Sequence, residues 1–543
     1  MIKSVTLLAM LLFSWFSKPL AAGDIAIWQK LELEFESSKP YENPLYDVTF
    51  NADFVSPTGR TIKINGFWGG ENNWKIRFAP DELGVWTFTT NCSEKTNLGL
   101  HGKKGSFTCV KSESSLPLFQ KGAITRSKGA YHLTYSDGTP FFWTACTAWN
   151  GALKSTDEEW EDYLSQRAKN NYNVIQFVTT QWRGCETNAE REVAFTGSGR
   201  IELNPSFFKR IDEKIDKINE FGLVAAPVLL WALPSGEGMH LSPGYFLPET
   251  EAALLANYLV ARYGGNQIVW ILGGDGKYTG EYEQRWKKIG QAVFGEEKPG
   301  LVAQHPHGSS WIGEIYKNEH WLDIVGYQSS HSNGKPVVDW VNKGPMAKSW
   351  DKLPPRPIIN MEPCYEKIFN ITAEDVRNAS YWSVFATPLA GITYGANGIW
   401  PWIQKEGDLI ENHGGLSKIP PDTWRQSIDF PGSLQVGYLS GFLQQFDWWT
   451  LKPTPELLTK QPGNTQFNHF ISVVSTDSKD LVMAYVPKKT TFKLRNPLGK
   501  TYKVHWFNPI ENTYLAGSFT EKNGLLEFSS PSSQDSVLVL EEK

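Results

Sequence analysis

Cysteine is scarce, with five in 543 residues. The number is odd and no C-x-x-C pair occurs, so neither a disulfide framework nor a zinc-knuckle pattern organises the chain. Cys92 and Cys109 flank a short segment of one β-rich region and could pair in an oxidising compartment. Cys146, Cys185 and Cys364 stand at the ends of expected strands and read as small buried residues. An excess of one charge is also missing. The formal net charge is −5, and no basic field offers itself to nucleic acid or anionic lipid, so neither is expected as a partner. After the N-terminus no apolar run reaches the ~20 residues that span a bilayer. Aromatics, by contrast, are plentiful at 13%, with 23 Trp. Flat rings stack on sugars and equally fill β-sandwich cores, and composition leaves both readings open.

The N-terminus has the pattern of an export signal. Lys3 precedes the apolar run "VTLLAMLLFSWF", and "SKPLAAG" offers small residues for cleavage near Ala22 or Gly23. Residues 1–22 are therefore expected to be a signal peptide, with the remainder soluble in the periplasm or outside the cell. No Cys follows "LAA", so no lipid anchor is expected.

Residues 24–111 alternate short strands with turns and predict a small immunoglobulin-like β-sandwich. "LELEFES" alternates apolar and charged side chains, as a half-buried strand does. "YDVTFNADFVSPTGRTIKINGFW" reads as two strands joined by Ser-Pro-Thr-Gly. "NWKIRFAPDELGVWTFTT" repeats that pattern, with Asp81 to Gly84 as the turn. Residues 112–121 read as a linker. Residues 456–543 are β-like again and predict a second sandwich.

Between them, over 122–450, short apolar runs alternate with helical stretches eight times. The runs include "NVIQFVTTQW", "LVAAPVLLW", "QIVWILGGD" and "PIINMEP". Near-continuous apolar strands are buried on both faces, which implies parallel strands under helices. Eight such units predict a (β/α)8 barrel. The expected architecture is therefore multidomain, a TIM barrel flanked by two β-sandwiches.

Reactive groups of such barrels sit at the C-terminal ends of the strands. Strand four ends in Gly273-Gly274-Asp275 and strand seven in Glu362, so two carboxylates can face each other across the mouth. Retaining glycoside hydrolysis needs such a pair, one as acid/base and one as nucleophile, about 5–5.5 Å apart. Asp275 is the expected acid/base and Glu362 the nucleophile. The bland alternative is that Asp275 caps a turn and Glu362 pairs with a cation. Further strand-end residues suit a sugar pocket: Trp149, Trp182, Arg183, Trp231, His305, His307, Tyr327, Gln328, His331, Trp400 and Trp402. Trp gives a stacking face, His, Arg and Gln reach hydroxyls, and a Tyr at strand six could donate to the nucleophile. A rival reading joins His305, His307, His331 and Asp275 in a metallohydrolase centre. The acidic partner spacing of such a centre is not evident, so no metal is expected.

The ordered set "TACTAWNG", "NVIQFV", "VWILGGDGKY", "HPHGSSW", "QSSH", "INMEPCYE" and "TYGANGIWPW" resembles the apiosidase-like glycoside hydrolase family, within the wider clan A, over roughly 120–450. The resemblance implies a (β/α)8 barrel and a catalytic pair at Asp275 and Glu362. Many clan A enzymes carry Asn-Glu after strand four, whereas this chain has Gly-Asp, as the apiosidase-like group does. The flanking segments resemble the β-sandwich module found ahead of such barrels and a collagen-binding-like module behind them. The resemblance implies an exported glycosidase of plant or algal poly- or oligosaccharide, with apiose-containing pectin suggested by the family name. No organic cofactor is implied. The competing class is a carbohydrate-binding or adhesion protein on a degenerate barrel, which would need neither carboxylate.

Overall fold

The computed structural model describes residues 20–21, 23–296 and 298–543. The expected signal segment 1–22 lies outside these, apart from Leu20 and Ala21. The centre of the molecule is a closed barrel of eight parallel strands. These are β1 (Trp143–Thr147), β2 (Val174–Val178), β3 (Val224–Trp231), β4 (Val269–Gly274), β5 (Leu301–Gln304), β6 (Ile324–Gln328), β7 (Ile358–Glu362) and β8 (Gly391–Tyr394). Every residue of these strands is buried, which explains why their sequences are apolar without alternation. Two of the helices that return the chain begin with reciprocal side-chain caps. Thr156 and Glu159 form a reciprocal capping box ahead of α1 (Asp157–Lys169), and Thr372 and Asp375 do the same for α2 (Ala373–Phe385).

The N-terminal region is a two-sheet sandwich closed over its own core. Leu33, Phe35, Trp74 and Ile76 on a three-stranded sheet meet Phe50, Phe54, Phe88 and Phe107 on the larger one. One expectation fails here. Asn73–Phe78 and Gly84–Cys92 do not form a hairpin about Asp81–Gly84. The segment between them carries the chain from one sheet to the other, because the strands supply opposite walls of the sandwich. The pairing of Cys92 with Cys109 that the sequence left open is not made, and all five cysteines are free and buried. Cys109 lies opposite Gly84, at the start of the strand that Cys92 ends. Eight residues at ~3.3 Å each separate those ends, and a disulfide tolerates Cα separations of about 7 Å at most.

The C-terminal region is a second two-sheet arrangement, with Ala484, Phe492, Leu526 and Leu538 in its core. Its junction with the barrel is tight. Tyr485 stacks on Tyr381 of α2 at 4.5 Å and 4°, and Phe507 stacks on Phe442 at 4.2 Å. Arg377, also on α2, holds Asp535 through two nitrogens at 2.8 and 2.9 Å, with both side chains buried. Val474, Met483, Val537 and Val539 belong to the same continuous core as the barrel. Among the described residues no helix is long and apolar enough to cross a membrane.

Candidate active site

The C-terminal ends of the barrel strands surround a cavity. Asp275 and Glu362 both line it, with Trp149, Trp182, Arg183, Trp231, His331 and Trp400.

Asp275 enters the cavity through strained backbone. Its φ is +52°, a left-handed conformation that Asp tolerates better than most side chains. The preceding Gly274 lets the chain pass beneath Trp231, since a Cβ there would lie 2.9 Å from both Trp231 and Val228. The Asp275 amide donates to Nδ1 of His305 at 3.1 Å. One carboxylate oxygen accepts from Nη2 of Arg183 at 3.2 Å. Burial raises the pKa of Asp275 above the ordinary carboxylate value. Arg183 opposes this and the neighbouring charge of Glu362 adds to it.

Glu362 ends β7 and is only 6% exposed. Its two oxygens meet two imidazoles, His331 Nε2 at 3.0 Å and His305 Nε2 at 3.2 Å. The Asp275 amide fixes the tautomer of His305. Because Nδ1 accepts there, the proton is on Nε2 and faces Glu362. Nδ1 of His331 faces the Pro363 carbonyl at 3.2 Å. Burial works against ionisation of Glu362, but the contacts with His305 and His331 outweigh it and hold the carboxyl down at about 2. The two acids thus share one cavity and titrate in opposite directions.

An aromatic wall supports the pair. Trp149 donates from Nε1 to the Tyr365 hydroxyl at 3.0 Å and lies edge-on to Trp231 at 5.8 Å. Trp182 packs on Trp231 at 4.2 Å and donates to Asn150 at 2.6 Å. Tyr365 fits because residue 395 is glycine, where a Cβ would lie 2.1 Å from its ring. Burial and the nearby Glu362 charge keep the Tyr365 phenol protonated well beyond its usual range.

Five of the expected sugar-pocket residues do not line the cavity. Trp402 is packed beneath the mouth, stacked on Trp424 at 4.8 Å and donating to Glu159 at 3.2 Å. Tyr327 points out of the barrel and lies edge-on to Trp340 at 5.6 Å, so it is no donor to Glu362. Beyond Tyr327 the pairing with β7 shifts register, with Met361 as the extra residue on β7. Gln328 is buried outside the lining, and Nδ1 of His307 turns to the Gly308 carbonyl at 3.1 Å. His305 stands behind the carboxylates rather than on the cavity surface. The metal reading loses its ligands, because His305 and His331 are spent on Glu362. No group of three or more His, Cys, Asp or Glu among the described residues is arranged to hold an ion.

Sequence reasoning missed Tyr365, Ile368, His413 and Leu416, all on the cavity wall. Tyr365 was within reach, three residues past Glu362 in the stretch that marks the site. His413 and Leu416 lie in irregular chain beyond β8, where no periodicity points to them.

Residues 127–450 match the family "Apiosidase-like, catalytic domain". The chain belongs to this family. Residues 24–93 match a domain of unknown function, and residues 453–541 match the "Putative collagen-binding domain of a collagenase". No curated protein matches the chain. Among solved structures it is similar to a glycoside hydrolase at 22% identity, with a TM-score of 0.67, over 79% of this chain and 99% of the other. It is also similar to a glycoside hydrolase family 5 protein from Bacteroides vulgatus at 21% identity, with a TM-score of 0.68, over 80% and 95%. At these identities the likeness is one of fold. In this apiosidase-like chain the glycoside hydrolase fold carries two carboxylates on opposing strands of one cavity.

Proposed function

We propose that this protein is an exported glycoside hydrolase that cleaves a plant or algal poly- or oligosaccharide with retention of configuration. Asp275 is the acid/base and Glu362 the nucleophile. The observation that carries the proposal is the opposite treatment of two acids in one cavity. Glu362 is kept ionised by His305 and His331, while burial favours the proton on Asp275.

Glu362 attacks the anomeric carbon as the bond to the leaving oxygen breaks, and Asp275 delivers its proton to that oxygen. A glycosyl ester on Glu362 results. Water then attacks the same carbon, Asp275 takes the water's proton, and Glu362 leaves as a carboxylate. Apiose-containing pectin is the substrate the family name suggests, and the fold alone does not select the sugar.

A screen of plant and algal polysaccharides for released sugars tests the activity. Proton NMR of the first-formed anomer tests retention. Release of the inverted anomer would remove the double-displacement scheme. Unchanged turnover in both Asp275→Asn and Glu362→Gln would remove the assignment. Glycan binding with no sugar released would favour the binding-protein reading.

A further inference from the structure

The candidate active site is at one end of the barrel, and a cleft of about 510 Å³ opens at the other. That volume falls within the ~300–1,000 Å³ of small-ligand pockets, which favour junctions between domains. The barrel side of the cleft is the chain just ahead of β4 and β5, with Gln267 and Gly300, and the helix Glu249–Tyr263 with Asn257. The other side is the N-terminal sandwich, with the whole strand Thr61–Asn65.

Trp28 stands between the two. Its φ is +66°, a conformation that a bulky side chain adopts only at a cost. The residue is held there from both sides. Its amide donates to the Pro80 carbonyl at 2.9 Å, and its own carbonyl accepts from Nε2 of Gln267 at 2.8 Å. The half-buried ring is backed by Gly122, where a Cβ would lie 2.7 Å from it, and it lines the cleft. Its indole N–H has no acceptor among the described residues. The carboxamides of Asn257 on the barrel wall and Asn65 on the sandwich wall are also without partners among them. Most ionic groups of the lining are spent: Arg77 on Asp212 and Glu32, Lys298 on Asp323, and Asp81 on Arg60. A partly open indole and two free carboxamides suit a ligand with a flat apolar face and neighbouring hydroxyls, which is the chemistry of a sugar ring. An extended peptide is the other ligand such a cleft can take, because Thr61–Asn65 is the outermost strand of its sheet. Lys63, exposed in the middle of that strand, blunts the edge against strand addition.

We propose that this cleft is a second, non-catalytic carbohydrate site, in which Trp28 stacks on a sugar ring of an oligosaccharide and Asn65 and Asn257 bond its hydroxyls. It lies at the opposite end of the barrel from Asp275 and Glu362, so it holds a glycan without cleaving it. Occupancy of the cleft is independent of the hydrolase proposal.

Calorimetry and backbone hydrogen exchange on the full chain test this, with cellohexaose, xylohexaose, mannohexaose and arabinohexaose as probes and Glu362→Gln present to block turnover. At least one probe should bind and slow exchange in 61–65. Asn65→Ala combined with Asn257→Ala should weaken that binding about tenfold. Trp28→Ala should lose at least as much, and Trp28→Phe, which keeps a stacking face, should lose less. The exchange measurement leaves the cleft unmodified, so a poorly folded Trp28 variant does not decide it. Failure of every probe to bind would overturn the proposal. So would protection confined to the loops around Asp275 and residue 362, or binding untouched by the paired Asn substitutions. A chain protected at the cleft that releases no sugar from any glycan would leave this site standing and remove the hydrolase proposal. A chain that cleaves a glycan while its cleft stays unprotected would do the reverse.

Discussion

The ends of β4 and β7 carry the same functional group and treat it in opposite ways. At β4 the acid is short, sits on left-handed backbone and meets one guanidinium from a neighbouring loop. At β7 the acid is long, continues a regular strand and is gripped by imidazoles from two other strand ends. His305 links the two, accepting from the Asp275 amide on one side and facing Glu362 on the other. A carboxyl that must gain and lose a proton needs a setting that opposes its charge. A carboxyl that must stay a nucleophile needs a setting that favours its charge.

The largest effect that would break this comparison is an exchange of the two roles. Glu362→Gln is expected to abolish turnover on every substrate. Asp275→Asn is expected to cost roughly 10²–10⁴-fold in kcat. The second loss should shrink for aryl glycosides whose leaving group needs no proton. Steady-state kinetics on a glycan and on a 4-nitrophenyl glycoside separate the roles, and equal sensitivity to leaving group in both variants would refute them.

Next in size is the pH profile. The Asp275 value lies above the ordinary carboxylate value, so activity falls as pH rises through it and the acid form is lost. Removing Arg183, the cation that pulls this value down, should move that alkaline limb to higher pH. Glu362 is held at about 2, so activity falls only as pH drops toward that value. His331→Gln removes one of its two stabilising contacts and should move the acidic limb to higher pH. The limbs of kcat/KM against pH measure both, and a shift of the wrong limb would sink the assignment.

A smaller effect is expected from Gly274→Ala. The added carbon meets Trp231 and Val228, and overpacking of this kind costs about 1–3 kcal/mol. The variant should melt lower and lose kcat through a displaced Asp275. The smallest effect on activity is expected from Trp402→Phe, because this ring lies outside the cavity. KM should stay within about twofold while Tm falls from the lost packing.

The barrel was legible because strands buried on both faces announce themselves as apolar runs. A strand end was all that was needed to find Asp275 and Glu362. What stayed hidden was direction. Tyr327 turns outward onto Trp340, and Trp402 reads in sequence like Trp400 although one is packed against α1 and the other lines the cavity. His413 lies in coil, where neither period nor strand end marks a residue. The length of one strand, invisible as residue spacing alone, separates Cys92 from Cys109.

The helix behind β7 has two masters. Its Ser383 accepts from Asn360 of β7 at 2.9 Å, and its Arg377 and Tyr381 are bound into the C-terminal sandwich. A chain cut before Lys452 would strand the Arg377 charge without Asp535, and breaking a buried pair of that kind costs about 3–5 kcal/mol. The N-terminal sandwich is tied to the barrel as well, with Arg77 buried in an ion pair with Asp212 at 2.8 Å. The barrel and the C-terminal sandwich must travel as one hereditary block, since a recombination point between them would loosen the strand that carries Glu362.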